Sequence, residues 1–114
     1  MKILIVDDHE GMRALMRSFL PDAFDEIYEC EDGADSLDCY RAHLPEWVLM
    51  DWKMKRMDGI TATRQIIAAY PQARILLVTN FDDDNLRRAA REAGTCGYIV
   101  KENLRSLSEI LPKA

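Results

Sequence analysis

Short apolar runs and longer stretches of helical period alternate five times along this chain, and most of the apolar runs stop abruptly at a charged or hydroxylated residue. "KILIVDD" opens the pattern: Ile3, Leu4, Ile5 and Val6 read as a buried strand by length and β-branched content, and Asp7 and Asp8 follow at once. Met12, Leu15, Met16 and Phe19 then recur at helical spacing until Pro21. "EIYECED" (26–32) alternates as a strand does, and Ala34, Leu37 and Tyr40 predict a helix ending before Pro45. "WVLMD" is a third strand; after Asp58-Gly59, Ile60, Thr63, Ile66, Ile67 and Tyr70 form a helical stripe closed by Pro71. "RILLVTN" (74–80) is a fourth strand, leading into "FDDDNLRRAAREAG", where Asp82 is the expected cap, Asp83 and Asp84 suit the helix N-terminus, and Gly94 ends the helix. "GYIVK" is the fifth strand, and Leu104, Leu107, Ile110 and Leu111 predict a last short helix stopped at Pro112.

Continuous apolar strands alternating with helices imply an α/β fold in which a doubly wound parallel sheet is covered on both faces. The 114 residues suit a single domain, 1–114, with no repeat, low-complexity tract or internal linker. Hydrophobic residues at 48% and charged residues at 31% exclude a disordered chain, and a net charge of -5 argues against direct nucleic-acid binding by this segment. Cys30, Cys39 and Cys96 are odd in number and lack C-x-x-C spacing, so neither a disulfide framework nor a zinc site is expected. They read as small buried hydrophobes in a reducing compartment, the cytoplasm. The apolar stretch after Met1 is too short for a signal peptide or a membrane span.

Right-handed crossovers put every strand C-terminus at one edge of such a sheet, where ligands of open α/β folds bind. Asp7, Asp8, Asp51, Thr79 and Lys101 all stand at strand C-terminal ends. Singly, each has a bland explanation: a helix cap, a loop acid, a strand threonine, a surface lysine. Their conjunction does not. Three carboxylates crowded together repel one another unless a cation is present, and an oxygen-only donor set favours a hard ion, Mg²⁺ where a phosphate completes its coordination. One carboxylate can then act as a nucleophile towards phosphorus while the ion and a lysine neutralise the phosphoryl oxygens. Asp51, from a middle strand between the acid pair and the Thr/Lys side, is the best candidate; His9 reads as a helix-start surface residue.

Taken together, "ILIVDDH", "VLMDWKMKRMDG", "LLVTN" and "GYIVK" resemble the receiver domains of two-component response regulators, over essentially the whole chain. The resemblance implies a flavodoxin-like (βα)5 fold with strand order 2-1-3-4-5. It implies that Asp51 accepts a phosphoryl group from a sensor histidine kinase or a histidine phosphotransfer protein. Asp8 would bind Mg²⁺ directly, Asp7 through water, and the main-chain carbonyl of Lys53 would be a further ligand. Lys101 would pair with the phosphoryl oxygens, Thr79 would donate its hydroxyl to one of them, and Tyr98 would be the switch aromatic. Aspartyl phosphorylation would bias the fourth helix, fifth strand and fifth helix, residues 82–111, where Arg87, Arg88 and Arg91 could meet an acidic effector or partner, with phosphorylation-dependent homodimerisation one outcome. Such a domain is a signalling module and not an enzyme, catalysing only its own phosphorylation and slow autodephosphorylation.

Several residues depart from the family pattern. Lys55 stands where a proline is typical, so the loop after Asp51 is expected to be less rigid. Glu102 replaces the proline after Lys101, which leads to the expectation of a trans or a strained peptide there. Asn80 replaces a small residue and narrows access to the acceptor, and Lys53 adds a cation expected to slow hydrolysis by standing in the path of attacking water. These departures motivate an alternative, a degenerate receiver acting as a phosphorylation-independent interaction module. A haloacid dehalogenase-type enzyme needs a second aspartate two residues after the nucleophile, where this chain has Lys53, and a flavin site needs a Gly/Thr/Ser-rich phosphate loop that "DDHEGMR" does not provide. No effector domain fits in 114 residues, so the sequence reads either as a stand-alone receiver or as one followed by an effector after about Pro112.

Overall fold

The apolar runs form the strands β1 (Lys2–Val6), β2 (Glu26–Cys30), β3 (Trp47–Asp51), β4 (Ile75–Thr79) and β5 (Gly97–Val100). Between them lie the helices α1 (Glu10–Ser18), α2 (Gly33–His43), α3 (Gly59–Ala69) and α4 (Asp84–Ala93). A tight 3-10 stretch, Lys101–Ser106, follows β5 and leads into a single helical turn, α5 (Leu107–Ile110). The structure, a computed structural model, describes residues 1–113. All strand pairs are parallel, and the sheet order is β2-β1-β3-β4-β5, the order the resemblance implied.

Alternate residues of the three central strands sort to opposite faces, which is why their sequences are apolar throughout. Leu4, Val6, Val48, Met50, Ile75 and Leu77 pack with Tyr40, Ile66, Leu86 and Ala90 from α2, α3 and α4. Ile3, Ile5, Leu49, Leu76 and Val78 pack on the other face with Met16 of α1 and with Leu104, Leu107 and Leu111 near the C-terminus. Among the described residues no helix is long and apolar enough to cross a membrane.

Polar chemistry corrects several sequence expectations. Leu15 was expected on the buried stripe of α1 but is 45% exposed, and Arg13 is 7% exposed in the interior instead. The guanidinium is satisfied there: Nε donates to Glu29 Oε1 at 2.8 Å and Nη1 to the main-chain oxygen of Asp7 at 2.6 Å. Ile110 likewise leaves its expected stripe at 46% exposure, because the final turn is too short to repeat a helical face. Asp83, not Asp82, caps α4 by accepting from the Leu86 N–H at 2.9 Å; Asp82 instead pairs with Arg87. Of the three cysteines only Cys30 is fully buried; Cys39 is half-buried and Cys96 is exposed at the start of β5, and all three are free thiols.

The joint between β3 and α3 brings backbone against backbone. The Gly59 N–H donates to the Trp52 carbonyl at 2.7 Å, and a Cβ at Gly59 would stand 1.8 Å from the Asp51 carbonyl oxygen. Only a residue without a side chain lets α3 start against the strand end. Gly59→Ala is therefore expected to cost at least about 1–3 kcal/mol through forced backbone displacement, read as a lower urea midpoint at unchanged m.

Candidate functional site

Strand register assembles the site. Val6 lies beside Met50, Asp51 beside Val78, and Thr79 beside Val100. Asp7, Asp51, Thr79 and Lys101 therefore leave four adjacent strands at one edge. With Asp8, Lys53, Asn80 and Phe81 they line a cavity of about 440 Å³. Tyr98 lies outside that lining, on β5.

Asp7 is fully buried, Asp51 is 6% exposed, and Asp8 is open to solvent. The Lys101 ammonium lies between the two buried carboxylates, 2.9 Å from Asp7 Oδ2 and 3.0 Å from Asp51 Oδ1. The other oxygen of Asp7 accepts from the His9 N–H at 2.9 Å, and His9 itself caps α1 by accepting from the Met12 N–H through Nδ1. Burial pushes the Asp51 carboxyl up to about 6, with the Asp7 charge adding to the rise and Lys101 opposing both. Lys101 also moves up: burial alone would lower it, but its hydrogen bond to Asp7 and the charge of Asp51 outweigh that. One ammonium against two carboxylates leaves net negative charge in the cavity, and Asp8 at the rim adds to it.

Carboxylate oxygens of Asp7, Asp8 and Asp51 lie within 4.8 Å of one another. An all-oxygen, anionic donor set of this kind fits a hard divalent cation, and no thiol or imidazole belongs to the cluster. Thr79 is buried, and its Oγ accepts from the Phe81 N–H at 3.3 Å. Phe81 also accepts, through its carbonyl, the hydrogen bond donated by the Tyr98 hydroxyl. The Tyr98 ring is half-buried, with the Arg87 guanidinium 4.3 Å from its centroid. Lys53 sends its ammonium over two rings, 5.1 Å from the Trp52 centroid and 5.2 Å from that of Phe81, and these rings meet edge-on at 5.4 Å. The same Lys53 and Phe81 also line a second, more apolar cavity of about 460 Å³ between α3 and α4.

Two residues that matter here were not singled out from the sequence. Phe81 gave no signal, because its part is played by backbone groups and by a ring in a loop. Asp32 did give one, an Asp-Gly step at the end of β2 that marks a helix start. What the signal omits is that Asp32 also accepts from the loop after Asp51. Of the departures, Asn80 lines the cavity at the strand ends, Lys55 stands in a neighbouring recess with Asp8, Glu31 and Arg56, and among the described residues no peptide bond is cis.

The profile of the response regulator receiver domain matches residues 3–111. The chain belongs to that family. This receiver domain is 36% identical to the chemotaxis protein CheY of Halobacterium salinarum over 100 residues, covering 88% of the chain and 83% of that protein. It is 38% identical to CheY of Bacillus subtilis, covering 88% and 84%. Among solved structures, a two-component response regulator of the LuxR family from Aurantimonas sp. superposes with a TM-score of 0.88 at 31% identity, covering 95% of this chain and 79% of that one. Receiver domains of response regulators are signalling domains, and no enzyme family is indicated for this one.

The raised Asp51 carboxyl makes a stability prediction for the metal-free protein. Its folded value lies near 6 and its ordinary value at 3.8, so between these the folded state holds more proton than the unfolded one. The contribution of Asp51 to stability is thus greatest below about 4, falls as pH rises through that window, and stays reduced above 6. Asp51→Asn removes the buried charge and is expected to raise Tm at pH 7.5 by several degrees, on the order of 1–2 kcal/mol. In thermal melts with chelator present, that advantage over the parent should shrink as pH is lowered towards 4; a gap independent of pH would refute it.

Proposed function

We propose that this receiver accepts a phosphoryl group on Asp51 from the phosphohistidine of a sensor histidine kinase or histidine phosphotransfer protein, in the cytoplasm, and that residues 1–114 act as one such unit. The observation that carries the reading is the Lys101 ammonium held between Asp7 and Asp51 with Asp8 at the rim. Three carboxylates and one lysine at converging strand ends form a charge arrangement that stays incomplete without a cation and a phosphoryl group. Three free thiols are consistent with a reducing compartment.

Asp7, Asp8 and Asp51, with the main-chain carbonyl of Lys53, would hold Mg²⁺. When bound, the ion supplies positive charge against the phosphoryl oxygens and keeps the acceptor ionised. Asp51 attacks phosphorus with a carboxylate lone pair; the O–P bond forms as the P–N bond breaks, and the departing imidazole nitrogen keeps the bonding pair and takes up a proton. Lys101, whose ammonium lines this cavity between Asp7 and Asp51, pairs with the phosphoryl oxygens. Thr79 is suited to the remaining contact: its oxygen accepts from Phe81, which leaves its own O–H to donate.

A Thr79 hydroxyl drawn towards the phosphoryl group pulls on the Phe81 backbone, and with it on the carbonyl that holds Tyr98. Tyr98 and its partner Arg87 are the means by which the face over residues 82–111 would change, presenting a different surface to an effector, a partner or a second copy. Of the departures that motivate the degenerate-receiver alternative, Lys55 stands outside the acceptor cavity and Glu102 is exposed beyond Lys101, which leaves Asn80 on the cavity wall as its motive.

Incubation with acetyl phosphate should add the mass of one phosphoryl group in the presence of Mg²⁺, and none with chelator or in Asp51→Asn. A folded parent protein that gains no mass with Mg²⁺ would give the degenerate module precedence. A second prediction concerns Lys53, whose side chain lies across Trp52 and Phe81 at the cavity wall. Lys53→Ala should shorten the phosphoryl lifetime several-fold by opening a path for water, on the order of 1 kcal/mol in the hydrolysis barrier; an unchanged lifetime removes that role.

A further inference from the structure

The loop joining β3 to α3 carries Lys53 and no proline, yet it is not loose. Its far half is fastened to the start of α2. Asp32 Oδ2 accepts from the Arg56 N–H at 2.9 Å, and Oδ1 accepts from the Met57 N–H at 3.0 Å. The same Oδ1 caps α2 through the Ala34 N–H at 2.9 Å. Capping α2 needs only this last bond; the other two reach 24 and 25 residues along the chain. The carboxylate is 4% exposed, and although burial pushes its carboxyl up, the N–H groups of Ala34, Arg56 and Met57 hold it below the ordinary range.

Two further contacts fasten the same segment. A Cβ at Gly33 would lie 2.6 Å from the Met57 carbonyl oxygen, so the loop rests directly on the α2 backbone. The Arg56 guanidinium pairs with Asp35 in the first turn of α2. At the other end Gly59 rests against the Asp51 carbonyl. The segment from Trp52 to Asp58 is therefore closed at its base by Gly59 against Trp52 and Asp51, and tied through Arg56 and Met57 to Asp32.

We infer that Asp32 is a positioning residue for cation binding, ordering the acceptor loop from across the α2 junction so that its backbone is formed before the ion arrives. The inference rests on the reading of the acceptor site given above. A loop ordered during folding does not have to be ordered again on binding, and polar groups behind a metal's ligands are worth about 10- to 100-fold in affinity. It also explains how the loop keeps its shape with Lys55 at the position of the family's proline.

The test is an NMR titration of the whole chain with MgCl₂, which reads affinity and the exchange of the Arg56 and Met57 amides together. Asp32→Ala should weaken Mg²⁺ binding about 10- to 100-fold and expose both amides to fast exchange. Asp32→Asn keeps the cap of α2 but offers one accepting oxygen and turns an amide N–H on a loop N–H, so it should lower Tm less than Asp32→Ala does while losing at least about threefold in affinity. Asp83→Ala removes a cap of the same kind from α4 and should lower Tm while leaving Mg²⁺ affinity within about twofold. Asp32→Ala binding Mg²⁺ within about twofold of the parent overturns the inference and leaves the acceptor site standing. Should Asp32→Ala fail to fold, Asp32→Asn decides by the same twofold limit. A parent that shows no Mg²⁺ response overturns both readings.

Discussion

The C-terminal edge of the sheet depends on one ammonium group. Lys101, 94 residues along the chain from Asp7, reaches back across the strand ends and bonds to carboxylates leaving β1 and β3. Burying three charges is costly, and the cost is recovered only where geometry is close and remaining lone pairs find donors. Here both salt-bridge distances are near 3 Å, and the His9 N–H and the Arg13 guanidinium bind the carboxylate and carbonyl of Asp7. Even so, one lysine cannot balance the cluster, and Asp51 is left as the group whose ionisation burial opposes. A surplus of negative charge at a strand edge is a poor stability device and suits a hard cation.

Much of this was readable from the residues because the constraints are local. Apolar runs that ignore the period of two declare strands covered on both faces, and the chemistry at their ends follows from the handedness of the crossovers. Leu15 and Arg13 show where the reading fails. A stripe of helical spacing predicts which side of α1 faces the sheet, but a guanidinium with two acceptors competes for that side, and those acceptors lie on β2 and at the end of β1. Asp82 and Asp83 failed for a related reason: adjacent aspartates are equivalent as caps until Arg87 claims one of them. Asp32 falls at the end of the stretch that reads as the second strand although its Asp-Gly step marks a helix start, and its role as an anchor needs a loop 24 residues away.

Phe81 joins the acceptor edge to the opposite flank of α4 through its backbone alone. Its N–H reaches Thr79 and its carbonyl holds Tyr98, whose ring carries Arg87, itself bound to Asp82. The outward Tyr98 is therefore held by one hydrogen bond and one cation–π contact near the surface, together about 1–2.5 kcal/mol. That magnitude suits a two-state element: a few kcal/mol leaves a minor conformer populated and lets a modest differential interaction reverse the balance. A buried, fully packed aromatic at the same position would need far more to move.

The departures from the family pattern become coherent in this light. A proline stiffens a loop by restricting the unfolded chain, whereas hydrogen bonds to a buried carboxylate stiffen it in the folded state only. The loop after Asp51 uses the second means, tied through Arg56 and Met57 to Asp32 and closed at its base by Gly59 against Asp51. Lys53 is then free to lie against Trp52 and Phe81, forming a wall common to the acceptor cavity and the apolar cavity beside α4. Because that wall consists of a flexible cation on two aromatic faces and not of packed aliphatic side chains, it can shift when Phe81 shifts. The strand-end cavity and the α4 flank thus share Lys53 and Phe81, residues that a comparison of the aspartates alone would pass over.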